Sequence, residues 1–359
     1  MKSSCFNLIG TGAALSAALW SAVLWSAALI IVGDGSGATA APARSPATQA
    51  KAQATAPKVQ DKAPLKATAT PPASTVTINF PSRTMGKIFI SNGNWDPMTL
   101  PPGGKFYAAA RGPITLRSDQ IYTFEPNMLV CEQPELLLQF PRGTLHYLNL
   151  NKLEVNDKLL DVVGQLPSVR AIQMAETDIT DAQLKKLSNI GTLEHLNLSG
   201  NMLKGSGFRE MKGCNELVKL DICFNALERK FGDDVAHFPK LRALFACHAG
   251  VKDVDVESIA KIKTLEHVKL SSNFDVTDKG VKALAALPKL GNIEIDGTKS
   301  NPASLLALKG LNLHLIGLDQ EWDNRTIRMM LKKAFPKASF NFKTNNGERI
   351  PVEVFEPLH

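Results

Sequence analysis

A strand-like Leu-x-x-Leu-x-Leu core opens at Leu145, Val169, Leu193, Leu217, Leu241, Leu265 and Leu290, the first six openings 24 residues apart and the seventh 25. Few folds survive that constraint. A unit of this size cannot bury its own apolar face, so it must stack on copies of itself as a solenoid. Composition agrees, because aromatics make up only 6% of the 359 residues while apolar residues reach 44%, which calls for an aliphatic core. A chain this long also exceeds what one compact core organises, whereas an extended array has no such limit.

The second repeat shows how one unit is built. Val169, Ile172 and Met174 alternate inward on a short strand, with Ala171, Gln173 and Ala175 on its opposite face. Thr177 and Ile179 turn back toward the core. Thr180 or Asp181 supplies an oxygen to cap a helix over 181–190, which buries Leu184, Leu187 and Ile190 on one stripe. The same offsets give Leu160, Val163 and Leu166 in the first repeat and Phe208, Met211 and Cys214 in the third. They give Val256, Ile259 and Ile262 in the fifth and Leu305, Leu308 and Leu311 in the seventh. In the sixth repeat the extra residue at Phe274-Asp275 shifts the stripe to Val281, Leu284 and Leu287. Gly232 interrupts the fourth, which predicts a short helix there. Pro167, Pro239 and Pro288 stop their helices just past the last buried residue.

The segment from Leu193, Leu-Glu-His-Leu-Asn-Leu-Ser-Gly-Asn-Met-Leu, resembles the leucine-rich-repeat consensus, in which an Asn follows the strand. Ile179-Thr-Asp and Val276-Thr-Asp look like the bacterial 24- to 26-residue class of that family. The resemblance covers about half of the chain, from Leu145 to Asp319. It implies an α/β fold: a right-handed solenoid with a parallel β-sheet on the concave side, helices on the convex side and a protein-binding role. Only Asn201, Asn225 and Asn273 fill the Asn position; Leu153, Thr177, Ala249 and Thr298 replace it, so the asparagine ladder is interrupted.

Outside the array, the chain divides by composition. Residues 1–33 carry Lys2 and then an uncharged run, Phe6–Val32, long enough to cross a bilayer. Two readings stay open: a signal anchor kept in the membrane, or a signal peptide cleaved near Ala38-Thr39-Ala40. Either one exports the solenoid to the cell envelope, as a membrane-anchored domain or as a secreted or periplasmic one. Residues 34–74, rich in Ala, Pro, Thr and Lys, read as a disordered linker. Residues 75–132 alternate in short runs (75–80, 87–91, 105–108, 113–117) that predict a small β-rich N-terminal cap. A degenerate repeat starts near Ile121, which places the solenoid at 133–340, and 341–359 form a C-terminal cap or tail with strand-like alternation at 349–355.

Charge and motifs narrow the function classes. Six of the 41 basic and two of the 34 acidic residues fall within 1–75, leaving 35 against 32 on the rest, so no nucleic-acid partner is expected. The five cysteines form no C-x-x-C pair, and there is no H-E-x-x-H, G-x-S-x-G or phosphate-binding glycine loop. Enzymatic activity, a cofactor, a metal and a small-molecule substrate are therefore not expected. On the concave face the central column reads Asn149, Gln173, Asn197, Asp221, Phe245, Lys269 and Glu294, flanked by one containing His195, Lys219 and His267. Here Phe224, Phe245, Cys223, Cys247 and His248 of the fourth and fifth repeats are expected to gather into a partly apolar patch. With Asp221, Lys269 and His195, they form the expected surface for a protein partner. His195 and His267 are expected to face solvent, and Cys223 and Cys247 to be half-exposed free thiols or a disulfide. Two alternatives remain: an envelope scaffold, or an improvised catalytic site near Cys223 and His248.

Overall fold

The computed structural model describes residues 73–91, 98, 104–228 and 231–343. The candidate membrane span, the linker through 72 and the strand-like 349–355 lie outside these residues. Among the described residues, no helix is long and apolar enough to cross a membrane.

The chain begins with β1 (Thr75–Phe80), β2 (Gly86–Ser91), β3 (Lys105–Ala109), β4 (Gly112–Arg117) and β5 (Ile121–Pro126). α1 (Leu129–Glu132) and a 3-10 turn over Pro134–Gln139 follow. The repeats then supply β6 (Leu145–Asn149), β7 (Ala171–Gln173), β8 (His195–Asn197), β9 (Lys219–Asp221), β10 (Ala243–Phe245), β11 (His267–Lys269) and β12 (Asn292–Glu294). Each strand starts two residues past its opening leucine or valine, apart from β6, which begins at it. Two more, β13 (Leu315–Asp319) and β14 (Ser339–Lys343), extend the array past the last regular opening.

These strands make one sheet of twelve in the order β14 to β5, then β2 and β3; β1 and β4 pair separately. From β5 to β14 every pairing is parallel, while β2 runs antiparallel to both β5 and β3. The N-terminal strands therefore continue the solenoid wall, and the degenerate repeat at Ile121 is its first parallel strand. β1–β4 lies apart as a hairpin-like ribbon whose Ile78, Phe80 and Leu116 join the common core.

The expected stripe residues are buried in this core, including Leu160, Val163 and Leu166, Phe208, Met211 and Cys214, and Val281, Leu284 and Leu287, apart from Leu311, which is half-buried against it. What carries them differs from repeat to repeat. α2 (Asp157–Val163), α5 (Asp253–Ile259) and α6 (Asp278–Ala283) are short α-helices. α3 (Asp181–Leu184) gives way to a 3-10 turn over Lys185–Leu187, and α4 (Phe231–Val235) has only five residues. The third and seventh repeats have 3-10 turns alone, Ser206–Glu210 and Pro302–Leu308. The side behind the sheet is helical as expected, with 3-10 turns in place of α-helix in the third and seventh repeats. Gly205 sits at a left-handed φ of 101° at the start of the third turn, and a Cβ on Gly207 would meet the Asp181 carbonyl oxygen at 2.4 Å. α7 (Arg325–Ala334), capped by Asn324, closes the convex side beside β14.

Neighbouring repeats are tied in both directions. The Asn273 amide donates to the carbonyls of Ala246 and Leu270, at 2.8 Å each, and accepts from the N–H groups of Ala249 and Val251, at 3.0 Å each. Asn201 does the same for Thr177 and Ile179, and Asn225 for Leu203. Aspartates work the other way. Asp181 accepts from the N–H groups of Lys204, Gly205 and Gly207 one repeat on, and Asp253 from those of Thr277 and Gly280. Thr180 is the cap of its own helix, so in Thr-Asp the two residues serve successive repeats.

Candidate functional site: the concave wall

Strand register fixes what lies side by side on the wall. Asn149, Gln173, Asn197, Asp221, Phe245, Lys269 and Glu294 align as one column, continued by Gly317 and Asn341. Toward the strand starts, a second column runs Phe106, Phe89, Thr123, Tyr147, Ala171, His195, Lys219, Ala243, His267 and Asn292. The N-terminal strands thus add two phenylalanines to the wall, packed edge to face with centroids 5.9 Å apart.

The first half of the wall is an amide network. Asn197 donates to Gln173 at 2.7 Å, and the Asn151 side chain accepts from the Ala175 N–H at 2.8 Å. Asn149, Asn197 and Asp221 each accept the backbone N–H two residues on, which holds the end of each strand in a tight turn. Past that turn the backbone goes left-handed, at Lys152, Glu176, Phe224, His248 and Ser272, with glycine at 200 and 297. Phe224 at φ 56° is 42% exposed and its ring lies 5.6 Å from that of His248. A bulky residue in this region is strained, so the conformation is imposed by the turn.

The second half is ionic. Phe245 stands between the Lys219 ammonium, 4.9 Å from its ring centroid, and the His267 ring at 4.7 Å. His267 Nε2 lies 3.3 Å from Glu294, Lys269 Nζ lies 3.7 Å from the same carboxylate, and Lys343 Nζ also pairs with it. Lys343 reaches Asp296 at 3.2 Å, and Ser271 donates to Asp296 at 2.8 Å. Gly317 makes this crossing possible: it stands between Glu294 and β14, and a Cβ there would press on the glutamate side chain at 3.0 Å. Burial by itself pushes the Glu294 carboxyl up, but His267, Lys269 and Lys343 outweigh it and hold the group well below the usual carboxylate range. Asp221 goes the other way, since its burial exceeds the help from the Cys223 N–H and raises its pKa.

Residues 261–285, spanning the end of one repeat and most of the next, match the sequence model of a family described as Leucine Rich repeat. The strand and the buried stripe behind it recur at that spacing along the wall, with the turn asparagine at Asn201, Asn225 and Asn273. These are leucine-rich repeats. An internalin of Listeria monocytogenes is similar over 56% of this chain and 68% of its own, at 14% identity and a TM-score of 0.35. No curated protein sequence matches the chain.

Within the leucine-rich-repeat wall the expected site residues fall into two groups. Phe224 and His248 stack on the ridge where the strands end, while Phe245 packs with Lys219 and His267 and Lys269 pairs with Glu294. Neither phenylalanine belongs to the core. Cys223 and Cys247 are neighbours, with the Cys247 N–H donating to Cys223 Sγ at 3.1 Å, yet both are free thiols and both are buried rather than half-exposed. Contact with Cys247 and burial push the Cys223 thiol up, away from nucleophilic character. Among the described residues, no group of three His, Cys, Asp or Glu could hold a metal ion. His195 corrects the expectation of a solvent-facing strand residue: it is only 1% exposed and contacts Gln173 at 3.3 Å. Its neighbours in the column, Ala171, Lys219 and Ala243, are buried too. Sequence spacing alone missed Lys343, 49 residues from Glu294, because only the register of β14 brings it there.

Proposed function

We propose that this chain is an exported protein-interaction module that holds a protein partner on the concave wall and its ridge, without catalysis. The observation that carries the reading is the pair Phe224 and Phe245. Both rings stand outside the core on the side where the repeats present their strands, and aromatic anchors of this kind dominate binding energy at interfaces. The neighbouring Asp221, Lys269 and His248 supply polar contacts at the rim of such a patch. Export rests on the uncharged run Phe6–Val32, which either stays as a membrane anchor or is removed as a signal peptide. In both cases the repeats stand outside the cytoplasm.

The test is affinity capture from envelope extract with the purified chain. A Phe224→Ala, Phe245→Ala variant with an unchanged circular-dichroism spectrum should lose the captured partner by tenfold or more, the scale of one hot-spot residue at about 1–2 kcal/mol. Equal capture by both proteins would remove the aromatic pair from the interface. Fractionation with N-terminal sequencing of the mature chain decides between anchor and cleavage, and a cytoplasmic product would overturn export.

A further inference from the structure

Through the middle of the array, cations on the helical side pair with acids of a neighbouring repeat. Lys186 reaches Asp161 at 2.5 Å, Arg209 reaches Asp234 at 2.9 Å and Lys279 reaches Glu257 at 2.8 Å. The last unit breaks this pattern. Residues 324–343 hold six Lys or Arg and no Asp or Glu. Two of the six are spent inside the fold: Arg328 pairs with Asp323 and lies 4.9 Å over the Phe342 ring, and Lys343 is buried against Glu294. The other four, Arg325, Lys332, Lys333 and Lys337, are exposed and form no ion pair among the described residues.

α7 gathers them on one face. Leu331 and Phe335 are buried, and Ile327 and Ala334 pack beside them against the core. Arg325, Met329, Lys332 and Lys333 fall on the opposite stripe, four, three and one residues apart. Met329 is 63% exposed among these cations, and Leu306, on the 3-10 turn packed against α7, is 41% exposed. Cations around a protruding apolar tip suit an anionic bilayer, where the charges meet headgroups and the lysine stems and thioether enter the interfacial layer. A shaped protein partner fits less well, since lysine is depleted from protein interfaces. α7 has no aromatic residue on which a base could stack. The uncharged run Phe6–Val32 is an independent reason to expect a bilayer near this chain.

We propose that the outward face of α7 and the turn after it, with Arg325, Lys332, Lys333 and Lys337 around Met329, docks on a bilayer of anionic phospholipid. One exposed helical residue of apolar character inserts little, so the attraction is chiefly electrostatic and weakens as salt rises. This surface lies behind the sheet and leaves the concave wall open. It stands apart from the protein partner proposed there, and the two readings fail separately because the vesicle experiment below contains no partner.

The test uses the full chain with p-benzoylphenylalanine in place of Met329, irradiated on vesicles and analysed by mass spectrometry. A probe at this one position reads the contact of α7 whatever the N-terminal run does. On equal parts of phosphatidylglycerol and phosphatidylcholine, lipid adducts should form at position 329, at least about tenfold more than on phosphatidylcholine alone. The same probe in place of Glu210, exposed on the third repeat, should give only background. Adding Arg325→Gln, Lys332→Gln, Lys333→Gln and Lys337→Gln should bring position 329 down to its level on the neutral lipid, with amide protection around Asn273 unchanged as the folding control. Equal labelling of both lipids, or full labelling of the neutralised variant, overturns the proposal. So do adducts in envelope extract that join position 329 to another protein, or to residues 344–359 of the same chain, in place of lipid.

Discussion

Asn273→Ala should be among the most damaging single truncations of a polar residue in this chain. The side chain is 1% exposed and makes four good hydrogen bonds, two as acceptor at 3.0 Å and two as donor at 2.8 Å. Alanine would leave the buried N–H groups of Ala249 and Val251, and the carbonyls of Ala246 and Leu270, without that partner. Each buried group left unsatisfied costs about 1–3 kcal/mol. Water entering the gap offsets part of the sum, so the expected loss is about 3–5 kcal/mol, a third or more of a typical domain's stability. Equilibrium unfolding in urea measures it, with amide exchange at Ala249 and Val251 as the local readout, because long repeat arrays need not unfold as one unit. The comparison is Asn301→Ala, an exposed helix cap whose side chain accepts only from the Ala303 N–H and whose loss should cost about 1 kcal/mol. If the two variants lose the same stability, the inter-repeat ladder is not what holds these turns.

Two further outcomes follow from the packing and the ion cluster. Alanine in a helix is ordinarily better than glycine by about 1 kcal/mol, yet Gly232→Ala should destabilise by about 1–3 kcal/mol in urea unfolding. A Cβ there would lie 2.6 Å from the Asp255 carbonyl oxygen, and a stabilised variant would refute that close approach. For Glu294 the folded pKa is depressed, so its contribution is present above the unfolded value of about 4.3 and is lost as pH falls from there toward the folded one. Glu294→Gln should therefore be the less stable protein at pH 7, with the difference shrinking below about pH 4; a gap that stays constant down to pH 3 would mean that the carboxylate is not held by its lysines.

The repeat spacing alone placed β6 to β12 and the residues beneath them, because leucine periodicity records burial directly. The convex side was less legible. Short segments between strand and turn can bury the same stripe as α-helix or as 3-10 turn, and both occur here, α-helix at Asp157–Val163 and 3-10 turn at Ser206–Glu210. At the site, the columns could be written down from the sequence, and Phe224 and Phe245 stand outside the core as the spacing implied. His195 could not be read this way. It is 1% exposed although the strand alternation places it on the wall, and nothing in its own repeat signals that. Lys343 likewise reaches Glu294 only because glycine stands at 317 between them.

The 25-residue spacing of the sixth repeat shows one place where such a chain tolerates a change of length. The sixth repeat has its additional residue between Asn273 and Val276, and the ring of Phe274 is pushed 63% into solvent. On one side of the insertion, Asn273 still serves Ala249 and Val251; on the other, Asp253 still serves Thr277 and Gly280. Both sets of bonds act between units at fixed offsets, so a residue gained within either set would break it, whereas one gained between them disturbs neither. A residue gained inside a unit is therefore absorbed at that point of the turn. Here it surfaces on the outer ridge, at Phe274, beside the line that carries Phe224 and His248.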